Sequence, residues 1–223
     1  MGDSFKFTLY EFFGYLLPGA VALIGLSLLD LVFFHRAHAV SLGWCSTKQA
    51  AVAAIGLSYL LGHAVQILAN AILPETNMLI LRLHRYNSTQ ELLKRTRSTL
   101  PQNLIDQSDR DIVVMCEHEV KEQGPSENRE IYIYREGFYR GMFISLVIVS
   151  IPAFLIAIIT NFALFAMTWG THRAEAAIGA VLILGMAVGM YYRSLRFANY
   201  RIVQALMCHI LSIDKSGVKK APK

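Results

Sequence analysis

The stretch that decides the fold is QAAVAAIGLSYLLGHAVQILANAIL, residues 49–73, which contains no charged side chain. At about 1.5 Å of rise per residue, a helix of this length crosses a hydrocarbon core about 30 Å thick. Pro74 follows directly, and a helix does not readily continue through proline. The stretch therefore predicts a transmembrane helix, which is the second along the chain.

Three other apolar runs predict the remaining membrane helices, and they cover residues 12–34, about 141–167 and about 174–192. The first run is longer than the apolar region of a signal peptide, which has about 7–15 residues, so we expect it to be retained. Over the whole chain 54% of residues are hydrophobic and 17% are charged, and the charges cluster between the runs. The sequence thus predicts an all-α integral membrane protein built as a four-helix bundle.

The most densely charged region, residues 74–140, is predicted to be a small, mainly helical insert in water. Ser108 with Asp111 has the pattern of a helix start, and Gly124-Pro125 has that of a stop. About 65 residues form a small core on their own. We therefore expect the insert to pack on itself, on the C-terminal segment or on a neighbouring subunit.

The chain is thus divided into residues 1–73 with the first two membrane helices, the insert at 74–140, residues 141–192 with the last two, and a C-terminal helix with a disordered tail at 193–223. Eighteen of the 21 lysines and arginines lie in the N-terminal arm, the insert and the C-terminal segment. Because cytoplasmic loops carry the excess of basic residues, both termini and the insert are predicted to be cytoplasmic, with the helices in the inner (plasma) membrane.

The second membrane helix carries a polar face, formed by Tyr59, His63, Gln66 and Asn70 at spacings of four, three and four residues. Polar groups in a bilayer are costly and turn toward the bundle interior or a wet cavity. One interpretation is a pore or polar path in which His63 titrates. The other is hydrogen bonding between helices that only sets their packing.

Two further residues are weaker candidates for the same path. Asp30 is the only acidic residue deep in an apolar run, and it is interpreted either as a carboxylate at the membrane interface or as part of a proton relay. Asn161 adds a polar position to the third membrane helix.

The fourth membrane helix contains a GxxxG pair, Gly185 and Gly189, which predicts close helix packing within the bundle or between subunits. Basic residues flank the third and fourth helices next to aromatic ones. These residues are expected to contact lipid headgroups rather than nucleic acid, and they are Arg135, Arg140, Arg193, Arg196 and Arg201.

Motifs for enzymatic chemistry are absent from the sequence: it has no P-loop, GxSxG, HExxH or dinucleotide fingerprint. Consecutive positions 116–119, which read CEHE, point in different directions on a helix, so they predict a solvated face and no metal site. We therefore expect a protein without catalytic residues, metal or cofactor.

This layout, four membrane helices around a central cytoplasmic insert, resembles the small multi-pass membrane effectors of prokaryotic anti-phage defence systems. The resemblance implies an insert that senses a protein or small-molecule signal, and helices that form a homo-oligomer and disturb the membrane. The leading hypothesis is accordingly a non-enzymatic, self-associating effector or pore. The alternatives are a small oligomeric transporter or channel that uses the polar face, and a membrane-embedded enzyme with His63 or Asp30 as acid or base.

Overall fold

A computed structural model of the protein describes residues 12–34, 47–73, 87–122, 127–159 and 173–218. Within these ranges the chain is almost entirely helical and has no strand. Four of the helices are long and apolar enough to cross a membrane. The predicted all-α fold with four membrane helices is therefore confirmed.

The described residues form six α-helices in chain order. They are α1 Leu17–Phe34, α2 Lys48–Ile72, α3 Asn87–Thr99, α4 Asp109–Glu122, α5 Glu127–Ile159 and α6 Arg173–Val218. A π-helical turn, Phe12–Leu16, leads into α1, and a short 3-10 turn, Gln102–Leu104, lies between α3 and α4.

Two of the helices extend well beyond their predicted membrane segments. The helix α5 begins at Glu127, and α6 continues from the membrane segment to Val218, so most of the C-terminal segment 193–223 is helical. Residues 219–223 and Asn161 lie outside the described residues. Nothing in residues 127–140 or 193–213 breaks a helix. The backbone of α5 and α6 therefore stays helical where the sequence changes from apolar to charged.

Local signals explain where two helices begin. The amide of Asp111 donates to Ser108 Oγ at 3.2 Å, and that hydroxyl donates to the Asp111 carboxylate, so the predicted start of α4 is confirmed. The amide of Ala50 donates to Thr47 Oγ1 at 3.2 Å and caps α2 in the same way.

The chain forms two compact units. The first, here called the membrane unit, consists of Met1–Ile72 and Gly137–Ser194, and the second, here called the insert unit, consists of Leu73–Glu136 and Leu195–Lys223. Of the partners considered for the insert, the C-terminal segment is therefore the one with which it shares a unit.

The membrane unit is held together by very close backbone contacts. A Cβ atom added to Gly19 of α1 would collide with the carbonyl oxygen of Ser58, and one added to Gly62 of α2 would collide with the backbone of Tyr15. A Cβ at Gly25 would lie 3.0 Å from the backbone of Val149 in α5. Small residues let membrane helices approach this closely, and the gain comes from van der Waals packing.

The insert unit has instead an aliphatic core. On α4 the buried side chains include Ile112, Val113 and Val120, and on α6 they include Ile202 and Leu206. Val113 and Val120 are seven residues apart with Ile112 beside them, and Ile202 and Leu206 are four apart, so the buried side chains lie on one side of each helix. Full burial of one such side chain contributes about 1.5–3 kcal/mol of stability, so burial of this core favours the folded state of the insert unit.

Candidate functional site

The predicted polar face of α2 is divided in the structure. His63 is half-buried and stacks on Tyr15, with ring centroids 4.0 Å apart and an interplanar angle of 21°. Tyr59 meets the same imidazole edge-on at 4.7 Å, although it is itself exposed. Asn70 is exposed as well. The structure thus brings His63 into an aromatic contact and leaves Tyr59 and Asn70 at the surface.

Gln66 has a packing role. Its side-chain amide donates through Nε2 to Gly14 O, in the π-helical turn before α1, at 3.3 Å and to Gly137 O of α5 at 2.7 Å. Gln66 therefore joins α2 to the turn before α1 and to α5.

A buried serine that the sequence did not single out makes a similar link. Ser145 of α5 is fully buried, and its hydroxyl lies 2.7 Å from Pro18 O and 3.0 Å from Gly141 O. A serine in an apolar helix is common, and only the approach of α1 shows that its hydroxyl bonds between helices. Asp30 lies within α1, but its side chain is outside the described residues, as is the whole of Asn161.

The two glycines of the GxxxG pair are open on the membrane unit. A Cβ added to Gly185 or to Gly189 would meet nothing within 4 Å in the described chain. Apolar side chains beside them on α6 are largely exposed, among them Ile178 at 60% and Val181 at 61%. This part of α6 therefore presents small residues between larger apolar ones.

The five arginines predicted to contact lipid headgroups have different surroundings. In the membrane unit, Arg140 donates to the carbonyl of Ala69 at 3.3 Å, and exposed Arg193 lies 3.4 Å from the hydroxyl of Tyr139. In the insert unit, Arg135 and Arg196 are exposed.

Arg201 has a different environment, which uses its charge inside the insert unit. Its Nε lies 3.5 Å from a carboxylate oxygen of Glu117 on α4 and 3.3 Å from one of Glu136 on α5. The Arg201 side chain is only 18% exposed, and that of Glu136 only 7%. The charge of Arg201 is therefore paired within the insert unit.

A second polar contact joins α4 to α6. Nδ1 of His209 lies 2.5 Å from Oε2 of Glu119, and because a carboxylate only accepts, the imidazole donates. The hydroxyl of Ser212, one turn further along α6, donates to Oε1 of the same carboxylate at 3.0 Å. Both oxygens of Glu119 are thus bonded to α6.

The prediction of a solvated face at positions 116–119 is wrong for Cys116, which is fully buried, and for Glu117, whose side chain is 15% exposed and forms an ion pair with Arg201. Glu119 bonds to α6 but its side chain is 33% exposed, and His118 is exposed. Burial, followed by the nearby charges of Glu119 and Glu117, raises the pKa of the Cys116 thiol to about 12. Four consecutive helical positions cover every direction, so the local sequence does not show which of them a neighbouring helix covers.

Groups of three or more possible metal ligands are absent among the described residues. Comparison with protein-family models, curated proteins and solved structures finds no match to this chain. The class is therefore defined by the fold: a multi-pass α-helical membrane protein whose insert and C-terminal segment form a second helical unit.

Proposed function

We propose that this chain is a non-enzymatic membrane effector that self-associates through α6 in the bilayer and permeabilises the membrane. The single observation that carries the proposal is the open face at Gly185 and Gly189. The insert unit is proposed to receive the controlling signal, a cytoplasmic protein or a small molecule. A role in prokaryotic anti-phage defence rests on the layout alone.

Glycines of the membrane unit fall into two groups. At Gly19 and Gly62 the backbone of a neighbouring helix occupies the space that a side chain would need, as is usual for small residues in membrane helices. Gly185 and Gly189 also leave space for a close approach, but no atom of the described residues lies there. A second α6 placed there would obtain the close contact that Gly19 and Gly62 already have within the chain.

The connection to a signal is supported by the length of α6. This helix has 46 residues and contains both the Gly185–Gly189 face and His209, which bonds to Glu119. A ligand that changes the contact between α4 and α6 acts on the same helix that carries the association face. Such a ligand controls self-association if it binds more tightly to the chain with α6 in one position than in another.

The direct test is self-association in proteoliposomes, measured by energy transfer between labelled copies over a dilution series in lipid. Replacing both Gly185 and Gly189 by isoleucine should abolish the transfer, because the added side chains prevent close approach. Gly179→Ile is the matched control, since Gly179 is equally open but lies on another face of α6. Equal transfer in both variants, or a monomer at every dilution, would overturn the proposal.

Permeabilisation needs a separate measurement. We expect dye release from vesicles that contain the wild-type chain at high density and less release with the double glycine variant. Self-association without any dye release would support the association through α6 and contradict the effector function.

The half-buried imidazole of His63 favours a second candidate, an oligomeric channel or transporter. His63 contacts the rings of both Tyr15 and Tyr59, so three polar aromatic side chains meet within the membrane unit. His63→Ala should then remove ion flux. Tyr59→Phe is the control for the hydroxyl, and unchanged flux in His63→Ala would exclude this path.

A further inference from the structure

Three aromatic rings of the insert unit form a compact group where α5 and α6 meet. Tyr132 lies 6.4 Å from Phe197 and 5.6 Å from Tyr200, measured between ring centroids. Phe197 and Tyr200 are 6.0 Å apart and meet edge-on. Phe197 is buried, so this group of rings is held in place and other side chains can pack on it.

Two exposed arginines pack on this group of rings. The guanidinium carbon of Arg135 is 5.4 Å from the Phe197 centroid, and that of Arg196 is 5.6 Å from the Tyr200 centroid. Nε of Arg196 also donates to the Tyr200 hydroxyl at 2.7 Å. A guanidinium held over a ring keeps most of its N–H donors directed away from the ring, and these remain available.

The charge of these two arginines is not neutralised within the described part of the chain. Neither Arg135 nor Arg196 forms an ion pair there, whereas Arg201 of the same unit lies between Glu117 and Glu136. The unit thus uses one arginine to balance its own carboxylates and presents two others with their charge available to a ligand.

The position of the group along the helices indicates which ligand it meets. After Glu175 the next charged residue of α6 is Arg193, and after Arg140 residues 141–159 of α5 carry no charge. At about 1.5 Å per residue, Arg196 lies about 4.5 Å beyond Arg193 and Arg135 about 7.5 Å before Arg140. Headgroups occupy the outer part of a bilayer about 40–45 Å thick, so a hydrocarbon core that ends near Arg140 and Arg193 would place both arginines among the headgroups.

We propose that Arg135 and Arg196, held by the rings of Tyr132, Phe197 and Tyr200, bind the phosphate of an anionic glycerophospholipid. Guanidinium groups bind phosphate through paired N–H donors, and anionic headgroups bring that phosphate to the edge of the apolar segments. Single-stranded nucleic acid fits less well. The rings pack against one another with Phe197 buried, whereas base stacking needs an open ring face.

The test uses the full chain in nanodiscs of phosphatidylcholine with an increasing share of phosphatidylglycerol. The measured quantity is the phosphatidylglycerol that remains bound after transfer to detergent, counted by native mass spectrometry. Arg135→Ala and Arg196→Ala should each reduce retention about fivefold, as expected for one basic residue at an anionic leaflet. Arg95→Ala, which removes an exposed arginine of α3, is the matched control and should retain the wild-type amount.

Additional arms separate the other outcomes. Arg135→Lys with Arg196→Lys should retain an intermediate amount, since lysine keeps the charge but not the paired donors. If the alanine variants lose helicity by circular dichroism, Arg135→Gln with Arg196→Gln replaces them. Retention equal to that of Arg95→Ala would overturn the proposal. Displacement by millimolar inorganic phosphate, or tighter binding of a single-stranded oligonucleotide, would assign the site to a free anion or to nucleic acid and overturn it too.

Discussion

In the membrane unit backbone atoms of different helices come very close, at Gly19 and Gly62, whereas in the insert unit the core is filled by large buried side chains such as Ile112 and Ile202. Lipid tails are as apolar as leucine, so burying more aliphatic surface brings little gain between membrane helices. In water the same burial is the dominant favourable term. One chain therefore uses two packing strategies, each suited to its solvent.

The bonding of polar side chains also differs between the membrane unit and the insert unit. Gln66 and Ser145 of the membrane unit bond to main-chain carbonyls of other helices. The insert unit instead has charged partners, Arg201 with Glu117 and Glu136. Neutral donors satisfy a backbone carbonyl at low desolvation cost, whereas a charge must be paired or solvated.

The largest effect is expected from Gly62→Leu, which places a side chain where the backbone of Tyr15 lies. Overpacking usually costs about 1–3 kcal/mol, and a collision with backbone, which cannot rotate away, should cost at least the upper value. We expect little folded protein after detergent extraction, measured by monodispersity in size-exclusion chromatography. Gly56→Leu is the control, because a Cβ there meets nothing within 4 Å. Equal recovery of both variants would contradict the close packing of α1 and α2.

The next effect is expected from Arg201→Met, which leaves Glu117 and Glu136 without their cation. Removal of one partner of a buried ion pair costs about 3–5 kcal/mol, reduced here because Arg201 is partly exposed. Amide hydrogen exchange in α4 should become faster, and it should slow again when Glu117→Gln and Glu136→Gln are added. Protection equal to that of Arg95→Met would show that the ion pairs do not hold α4.

A smaller effect is expected from Gln66→Met, which keeps the size of the side chain and removes its bonds to Gly14 and Gly137. Hydrogen bonds between membrane helices are worth about 0.6 kcal/mol each, so the thermal midpoint in detergent should fall slightly. Asn70→Leu, at an exposed position, should leave the midpoint unchanged or raise it. The opposite order of the two variants would place the important polar contact of α2 at Asn70.

The smallest effect near neutral pH concerns Cys116, whose pKa is raised from 9.0 to about 12 by burial. The folded thiol holds its proton more tightly than the unfolded one, so stability is unaffected below pH 9 and declines as the pH rises above 9. At pH 8 maleimide should modify Cys208, which is partly exposed, well before Cys116. Mass spectrometry of peptides measures both rates, and rapid labelling of Cys116 in the folded chain would contradict its burial.

The apolar runs of the sequence predicted the membrane helices because a long uncharged stretch has few stable alternatives to spanning a bilayer. The sequence also predicted the start of α4 at Ser108 and Asp111, since a helix cap depends on residues three apart. The sequence did not predict the pairing of Arg201 with Glu117, because these residues are far apart in the chain and each arginine has several carboxylates that it could pair with. Positions 116–119 were misinterpreted for the same reason.

The sequence by itself determined the number of apolar helices and the helical nature of the insert, because local length, charge and helix propensity decide these. Only the tertiary structure decided which polar residues are used and for what. Gln66 bonds to Gly14 and Gly137, and Glu119 bonds to His209 and Ser212. These roles depend on which helices lie side by side, and packing between distant segments has no signature within either segment.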